Sequence, residues 1–360
     1  IYAANCPEWV IFFWATVSIG AIACGLNLSL IHISEPTRRT PISYAVFCLK
    51  KAAYILKNEY EVKPGDRVAI YAANCPEWVI FFWATVSIGA IACGLNGWWK
   101  GSEAMKAIED ADPKLIVADQ KRFDRISGEP TQPVLIFEEM DLANQSEMID
   151  LFIRLDEDEC ACLLYTSGTT GAPKGVMTSH RSMIANSTLS MLQGAAVSQD
   201  SSSKGIDWAK HKPTSLLTSP LFHVSGLSAG VVTSLFAGST TLLYAGKFSA
   251  HKILELIDKF NVTSWGGAVP TALKRVLDAA NETNISLPSV LVVGGGGAPM
   301  PPALIERTKE VFPSSKYSFG YGYGLTESGA ITIINWGENL KSNPASPGQA
   351  MPTVNVELRD

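Results

Sequence analysis

Residues 163–176 read LLYTSGTTGAPKGV. An apolar run, Leu163–Tyr165, gives way to a segment in which every position from Thr166 to Gly171 is a hydroxyl residue or a glycine, with Lys174 close behind. The apolar run reads as a buried strand. Glycines 168, 171 and 175 permit positive φ and close backbone approach, so successive amide N–H groups can converge on one anion. The hydroxyls of Thr166, Ser167, Thr169 and Thr170 add donors, and Lys174 adds a point charge. A helix beginning near Ser179 would aim the positive end of its dipole at the same place. The segment is a phosphate cradle by composition, and the GxxxxGK[ST] spacing of a Walker loop is absent.

The same order of strand then glycine recurs outward from this segment, in SVLVVGGGG (289–297) and SFGYGYG (318–324). Further strand-like runs at 67–72, 115–118, 215–220, 240–245 and 262–267 alternate with helical stretches at 102–111, 250–260, 270–280 and 301–312. This alternation implies an α/β fold with mostly parallel sheets covered by helices, and ligands beyond the carboxyl ends of the strands. Asn74 is placed to cap the helix that Gly89 ends. The acidic stretch 119–159 reads as an irregular solvated surface, and the serine-rich 198–204 as a mobile surface loop.

The composition sets broad bounds. A chain of 360 residues, 47% hydrophobic and 18% charged, can bury a large core. At roughly 150 residues per domain it suggests about two domains. A net charge of −5 argues against an electrostatic nucleic-acid binder. Seven cysteines do not make a disulfide scaffold, no metal cage is visible, and a cytoplasmic enzyme is expected. The run 78–99 carries no charge, but Gly89, Gly94, Asn96 and Gly97 cut it into helix, turn and strand, so buried core is expected rather than a membrane span. Residues 1–27 repeat 70–96 letter for letter, whereas structural repeats keep a pattern while letters drift. Residues 1–49 are therefore expected to be a non-native duplicated segment, leaving 50–360 as the folded large domain.

YTSGTTGAPKGV resembles the signature of the adenylate-forming (AMP-binding) superfamily, which includes acyl- and aryl-CoA synthetases. PLFHVSG (220–226), GGGGAPM (294–300), YGYGLTES (321–328) and the strand-like tail NVELRD agree with that family's order. The resemblance implies that a carboxylic acid and Mg·ATP form an acyl-adenylate and pyrophosphate, after which a thiol, usually coenzyme A, takes the acyl group. On the matching positions, Thr166, Ser167, Gly168, Thr169, Thr170, Gly171 and Lys174 would hold the β- and γ-phosphates. Thr326 would bond the α-phosphate, and Glu327 would ligate Mg²⁺ through a hard carboxylate oxygen. Tyr323, beside Gly324, would stack on adenine, with Gly297, Ala298 and Pro299 as the opposite wall. His223 would lie near the substrate carboxylate and the passage toward the thiol. An aspartate that would pair with an amino-acid substrate's ammonium is absent, which favours a fatty or aryl acid. Gly266, Gly267, Val269 and Gly294–Gly296 would leave room for its tail.

Three other readings are weaker. Gly226-Leu-Ser228-Ala-Gly230 fits the nucleophile elbow of serine hydrolases, but it falls in an apolar stretch that reads as helix interior. Transfer to a carrier-protein thiol and a non-catalytic nucleotide-binding fragment also remain open. The family pattern continues into a ribose-binding aspartate and a small lid domain with a catalytic lysine, neither within 50–360. This stretch is thus expected to bind Mg·ATP weakly and to turn over little.

Overall fold

The apolar run at 78–99 is a helix, Pro76–Ser87, followed by a strand, as its glycines predict. Trp78, Phe81, Phe82 and Trp83 are all buried, so this helix is apolar on every side because it is enclosed on every side. In the computed structural model, residues 31–32, 42–126, 128–140, 147, 149, 155–166 and 173–359 are described. The first repeat copy and the loop residues Ser167 to Ala172 lie outside them. The helix Ile42–Tyr54 runs across position 49.

Two sheets organise these residues. The first has six strands: β2 (Arg67–Tyr71), β3 (Ile91–Gly94), β4 (Leu115–Ala118), β5 (Val134–Ile136), β6 (Cys160–Thr166) and β7 (Lys174–Ser179). Their order is β5-β4-β2-β3-β6-β7, parallel except for the β6–β7 hairpin. The second begins at β1 (Ile31–His32) and continues through β8 (Thr214–Leu217), β9 (Thr240–Leu243), β10 (Ser264–Ala268), β11 (Val292–Gly296) and β12 (Gly320–Leu325). It ends with β13 (Ala330–Trp336) and β14 (Gln349–Ala350), in the order β1-β9-β8-β10-β11-β12-β13-β14. Only its last two pairings are antiparallel. The predicted α/β class, with mostly parallel sheets between helices, is the observed one.

Four local expectations are corrected. Residues 198–204 are not a loop: the helix His180–Ser203 runs through them, and buried Ser201 satisfies its hydroxyl on the Val197 carbonyl at 2.8 Å. Within 119–159, β5 and the buried Phe137 interrupt the acidic surface. Cys75, not Asn74, is the residue that opens the helix Pro76–Ser87. The Asn74 side chain instead reaches across to the other sheet's loops, donating to the Ser219 carbonyl at 2.9 Å and accepting from the Leu221 N–H at 2.9 Å. Finally, the tail 355–359 forms no strand, and Leu358 is exposed, since no neighbouring strand pairs with it among the described residues.

Candidate active site

The β6–β7 hairpin holds the glycine- and hydroxyl-rich loop between paired ends. Thr166 stands opposite Lys174 in register, at the mouth from which residues 167–172 emerge. Behind the mouth, the buried Tyr165 anchors the strand, its hydroxyl 2.7 Å from an Asp110 carboxylate oxygen and 3.1 Å from the Ala107 carbonyl. Burial, reinforced by the Asp110 carboxylate, pushes this phenol up from its ordinary pKa, so it stays a neutral donor. The predicted Ser167, Gly168, Thr169, Thr170 and Gly171 are outside the described residues.

Across the molecule, β11 and β12 run parallel in register, Gly294 with Gly320 and Gly296 with Gly322. Their carboxyl ends place the predicted wall, Gly297–Pro299, beside the predicted platform, Tyr323. The Tyr323 ring is half exposed and meets no other ring among the described residues. A Cβ on Gly297 would touch only Val269, itself exposed, and one on Gly266 would touch nothing within 4 Å. An open floor therefore runs from the β11–β12 ends toward β10.

Past β12 the chain makes a tight turn, Thr326–Ser328, closed by Gly329 N–H donating to the Thr326 carbonyl at 3.1 Å. This turn packs against β7 and, at Gly329, against Ser182 in the first turn of the helix His180–Ser203. Ser179 caps that helix, accepting from the Ser182 N–H at 3.2 Å, as the sequence predicts. Packing thus joins the Thr326–Ser328 turn to β7 and to a capped helix start. Thr326 is buried, yet its hydroxyl has no protein partner among the described residues, and neither the Glu327 carboxylate nor the Lys174 ammonium is paired there. The Thr326 hydroxyl oxygen itself is reachable from solvent, so it is free to donate to a ligand.

A magnesium ion held partly by substrate phosphates needs one or two protein carboxylates rather than a full cage. The unpaired Glu327 fits that role, and no cluster of three or more potential metal ligands occurs among the described residues.

His223 lies between β8 and a π-helical segment, Ser225–Val232. The Ser225 backbone N–H donates to its Nδ1 at 3.2 Å, and the Ser225 hydroxyl is 2.9 Å from the same atom. A backbone N–H can only donate, so Nδ1 accepts and the ring is neutral, with its proton on Nε2. Desolvation of the inner part of the ring lowers its pKa, as burial does for His180. Stability from these neutral rings is thus full above about pH 6.5 and is lost as pH falls through the lowered folded-state values. Proton NMR of the ring C–H signals will place both midpoints below about 6.5. A His223 midpoint above that value would remove the neutral assignment.

The hydrolase alternative fails on geometry. Ser228 sits inside the π-helical segment rather than at a strand-to-helix elbow, is 3% exposed, and gives its hydroxyl proton to Asn186 at 3.0 Å. Cysteine is no better a nucleophile here, since burial pushes the Cys162 thiol up to about 12.

The sequence reading passed over Trp98. Its indole is 70% exposed and meets buried Phe222, next to His223, edge-on at 5.3 Å. The loop carrying it is fixed by the Arg125 guanidinium donating to the Gly97 carbonyl at 3.2 Å and by the Tyr71 hydroxyl on the Trp99 carbonyl at 3.3 Å. An Arg122–Asp119 ion pair at 3.0 Å lies behind the loop. A tryptophan pair after a glycine was the available signal.

Two mostly parallel sheets, with a glycine-lined floor and uncommitted polar groups beyond their strand ends, define an α/β protein of the class that places small-molecule ligands beyond its strand ends. More particularly, residues 48–360 match the AMP-binding enzyme family, and the chain belongs to it. It is 29% identical over 292 residues to a 4-coumarate–CoA ligase of Vanilla planifolia, covering 76% of this chain and 50% of that protein. It is 30% identical over 287 residues to the 4-coumarate–CoA ligase CCL1 of Humulus lupulus, covering 75% and 50%. The chain therefore spans about half the length of the curated relatives it matches. Among solved structures, it resembles the o-succinylbenzoate CoA synthetase of Bacillus subtilis in complex with its acyl-adenylate intermediate, with TM-score 0.73, 26% identity and coverage of 91% and 62%. The N-terminal domain of FACL13 from Mycobacterium tuberculosis gives TM-score 0.74 at 26% identity, covering 90% of this chain and 78% of that one. Among the described residues no helix is long and apolar enough to cross a membrane.

Proposed function

We propose that residues 50–360 form the acid-activating large domain of an acid–thiol ligase. In this reading a carboxylate attacks the α-phosphate of ATP, the bond to pyrophosphate breaks, and the acyl-adenylate then passes its acyl group to the thiol of coenzyme A as its bond to phosphate breaks and AMP leaves. The carrying observation is the packing of the Thr326–Ser328 turn on β7, with Thr326, Glu327 and Lys174 all uncommitted. In-line attack spreads negative charge over phosphoryl oxygens, so fixed donors aimed at that charge supply much of the rate. Lys174 and Thr166, with the loop 167–172, hold the β- and γ-phosphates. The Thr326 hydroxyl donates to the α-phosphate, while Tyr323 and Gly297–Pro299 sandwich the base. Glu327 holds magnesium, which when bound neutralises phosphate charge.

His223, neutral with Nε2–H outward, donates toward the substrate carboxylate. An uncharged tail extends over Gly266 and Gly294, which favours an aryl or fatty acid. The rigidly held, exposed Trp98 and the neighbouring Arg125 support a stacking and phosphate-pairing place for the nucleotide end of coenzyme A.

The test is a binding panel of acyl-sulfamoyl-adenosines with short fatty, long fatty and aryl tails. One tail class will bind best, and Thr326→Ala will weaken it about tenfold. Equal binding of all tails by parent and variant would overturn the assignment.

A further inference from the structure

Away from the strand ends, a cavity of about 320 Å³ opens among helices and turns and shares no residue with the site above. Four segments each contribute a lysine. Lys204 follows the helix His180–Ser203, Lys309 lies on the helix Pro302–Val311, Lys316 lies in the turn Pro313–Tyr317, and Lys341 lies in the helix Gly337–Ser342. Ile305, Phe319 and Leu340 give the cavity an apolar lining. The Tyr317 ring is close to two of the cations, with Lys316 at 4.6 Å and Lys204 at 5.2 Å from its centre.

The carboxylates facing this group are Asp200, Glu306 and Glu338, paired with Lys204, Lys309 and Lys341 at 2.6 Å each. Four cations against three anions leave one net positive charge. The partners are covered differently: the Lys309 side chain is 28% exposed while that of Glu306 is 70% exposed, so the lysine's methylene stem is packed while the carboxylate stays in water. Solvent-facing ion pairs of this kind contribute little and exchange readily for a better anion. Lys316 has no carboxylate partner among the described residues.

We propose that this cavity binds a small soluble organic phosphate. Its phosphomonoester head, with about two negative charges, would bridge Lys316 and Lys341, and its apolar part would rest on Phe319 and Leu340. Several separate ammoniums suit a dianion with several acceptor oxygens better than a monocarboxylate. The cavity falls in the range, about 300–1,000 Å³, of small-molecule sites.

The test titrates phenyl phosphate into the full chain by calorimetry, with inorganic phosphate and phosphatidic-acid vesicles as parallel arms. Saturable binding is expected, tighter than for inorganic phosphate, and weakened about tenfold in Lys316→Ala and in Lys341→Ala. Both lysines are on the surface, and circular dichroism confirms that the variants remain folded. Lys174→Ala leaves this binding unchanged. Three results would overturn the proposal: no saturable binding, equal binding by the lysine variants, or loss in Lys174→Ala, which would place the ligand in the nucleotide site. Capture by vesicles without phenyl phosphate binding would assign the lysines to a lipid headgroup and also overturn it.

Discussion

Gly324→Ala is expected to cut the affinity for the best-binding acyl-sulfamoyl-adenosine about ten- to a hundredfold. At Gly324 the β12–β13 ladder shifts register, and a Cβ there would collide with the Ala330 carbonyl and lie 2.9 Å from the Ile331 Cα. The obstacle is backbone rather than a side chain that could turn aside. Ala330 is itself held at φ 142°, a conformation few L-residues adopt, so the partner strand has little freedom to yield. Overpacking of this kind costs about 1–3 kcal/mol, and the strands can relieve it only by parting. Tyr323 immediately precedes the collision and Thr326 follows two residues later, so the displacement falls on the proposed adenine platform and on the proposed α-phosphate donor. Gly194→Ala is the control: a Cβ there meets nothing within 4 Å on the helix His180–Ser203. It should add about 0.5–1 kcal/mol of stability and leave binding intact. Parent-like affinity in Gly324→Ala would remove the β12 end from the site.

Glu327→Gln and Lys174→Ala should separate the metal from the phosphates. The parent's affinity for ATP will fall when magnesium is withdrawn by a chelator. Glu327→Gln will lose that magnesium dependence, because a neutral amide is a far poorer partner for a hard divalent cation. Lys174→Ala will weaken ATP about tenfold or more both with and without the metal, since a charge-assisted contact to phosphate contributes about 1.5–3 kcal/mol. Neither side chain has a protein partner among the described residues, so both variants keep the parent's unfolding midpoint. A Glu327→Gln variant that responds to magnesium as the parent does would exclude Glu327 as the ligand.

Much of this molecule was legible from local sequence. Apolar runs followed by glycine marked the strands β6 and β11, because a strand enclosed between helix layers needs continuous apolar residues, while alternating glycines and tyrosines marked β12. Glycines within an uncharged run likewise distinguished the helix Pro76–Ser87 and β3 from a membrane span. The chemistry of Lys174, Thr326 and Glu327 was equally local, since each motif carries its own donors or carboxylate.

Long-range contacts were not legible. Asn74 satisfies a cap rule, yet it serves as a bridge to Ser219 and Leu221, a partnership 145 or more residues distant. The serines at 198–204 look like loop residues, but burial of Ser201 against its own helix turns a poor helix former into a satisfied one. The neutrality of His223 depends on a Ser225 N–H turned inward by a π-helical start. Sequence determined which groups this protein carries and on which strand ends they stand, because backbone propensity and hydrophobic burial act over a few residues. Tertiary structure alone decided which of those groups are left without a protein partner, because satisfaction is settled by whichever distant segment packs against each one.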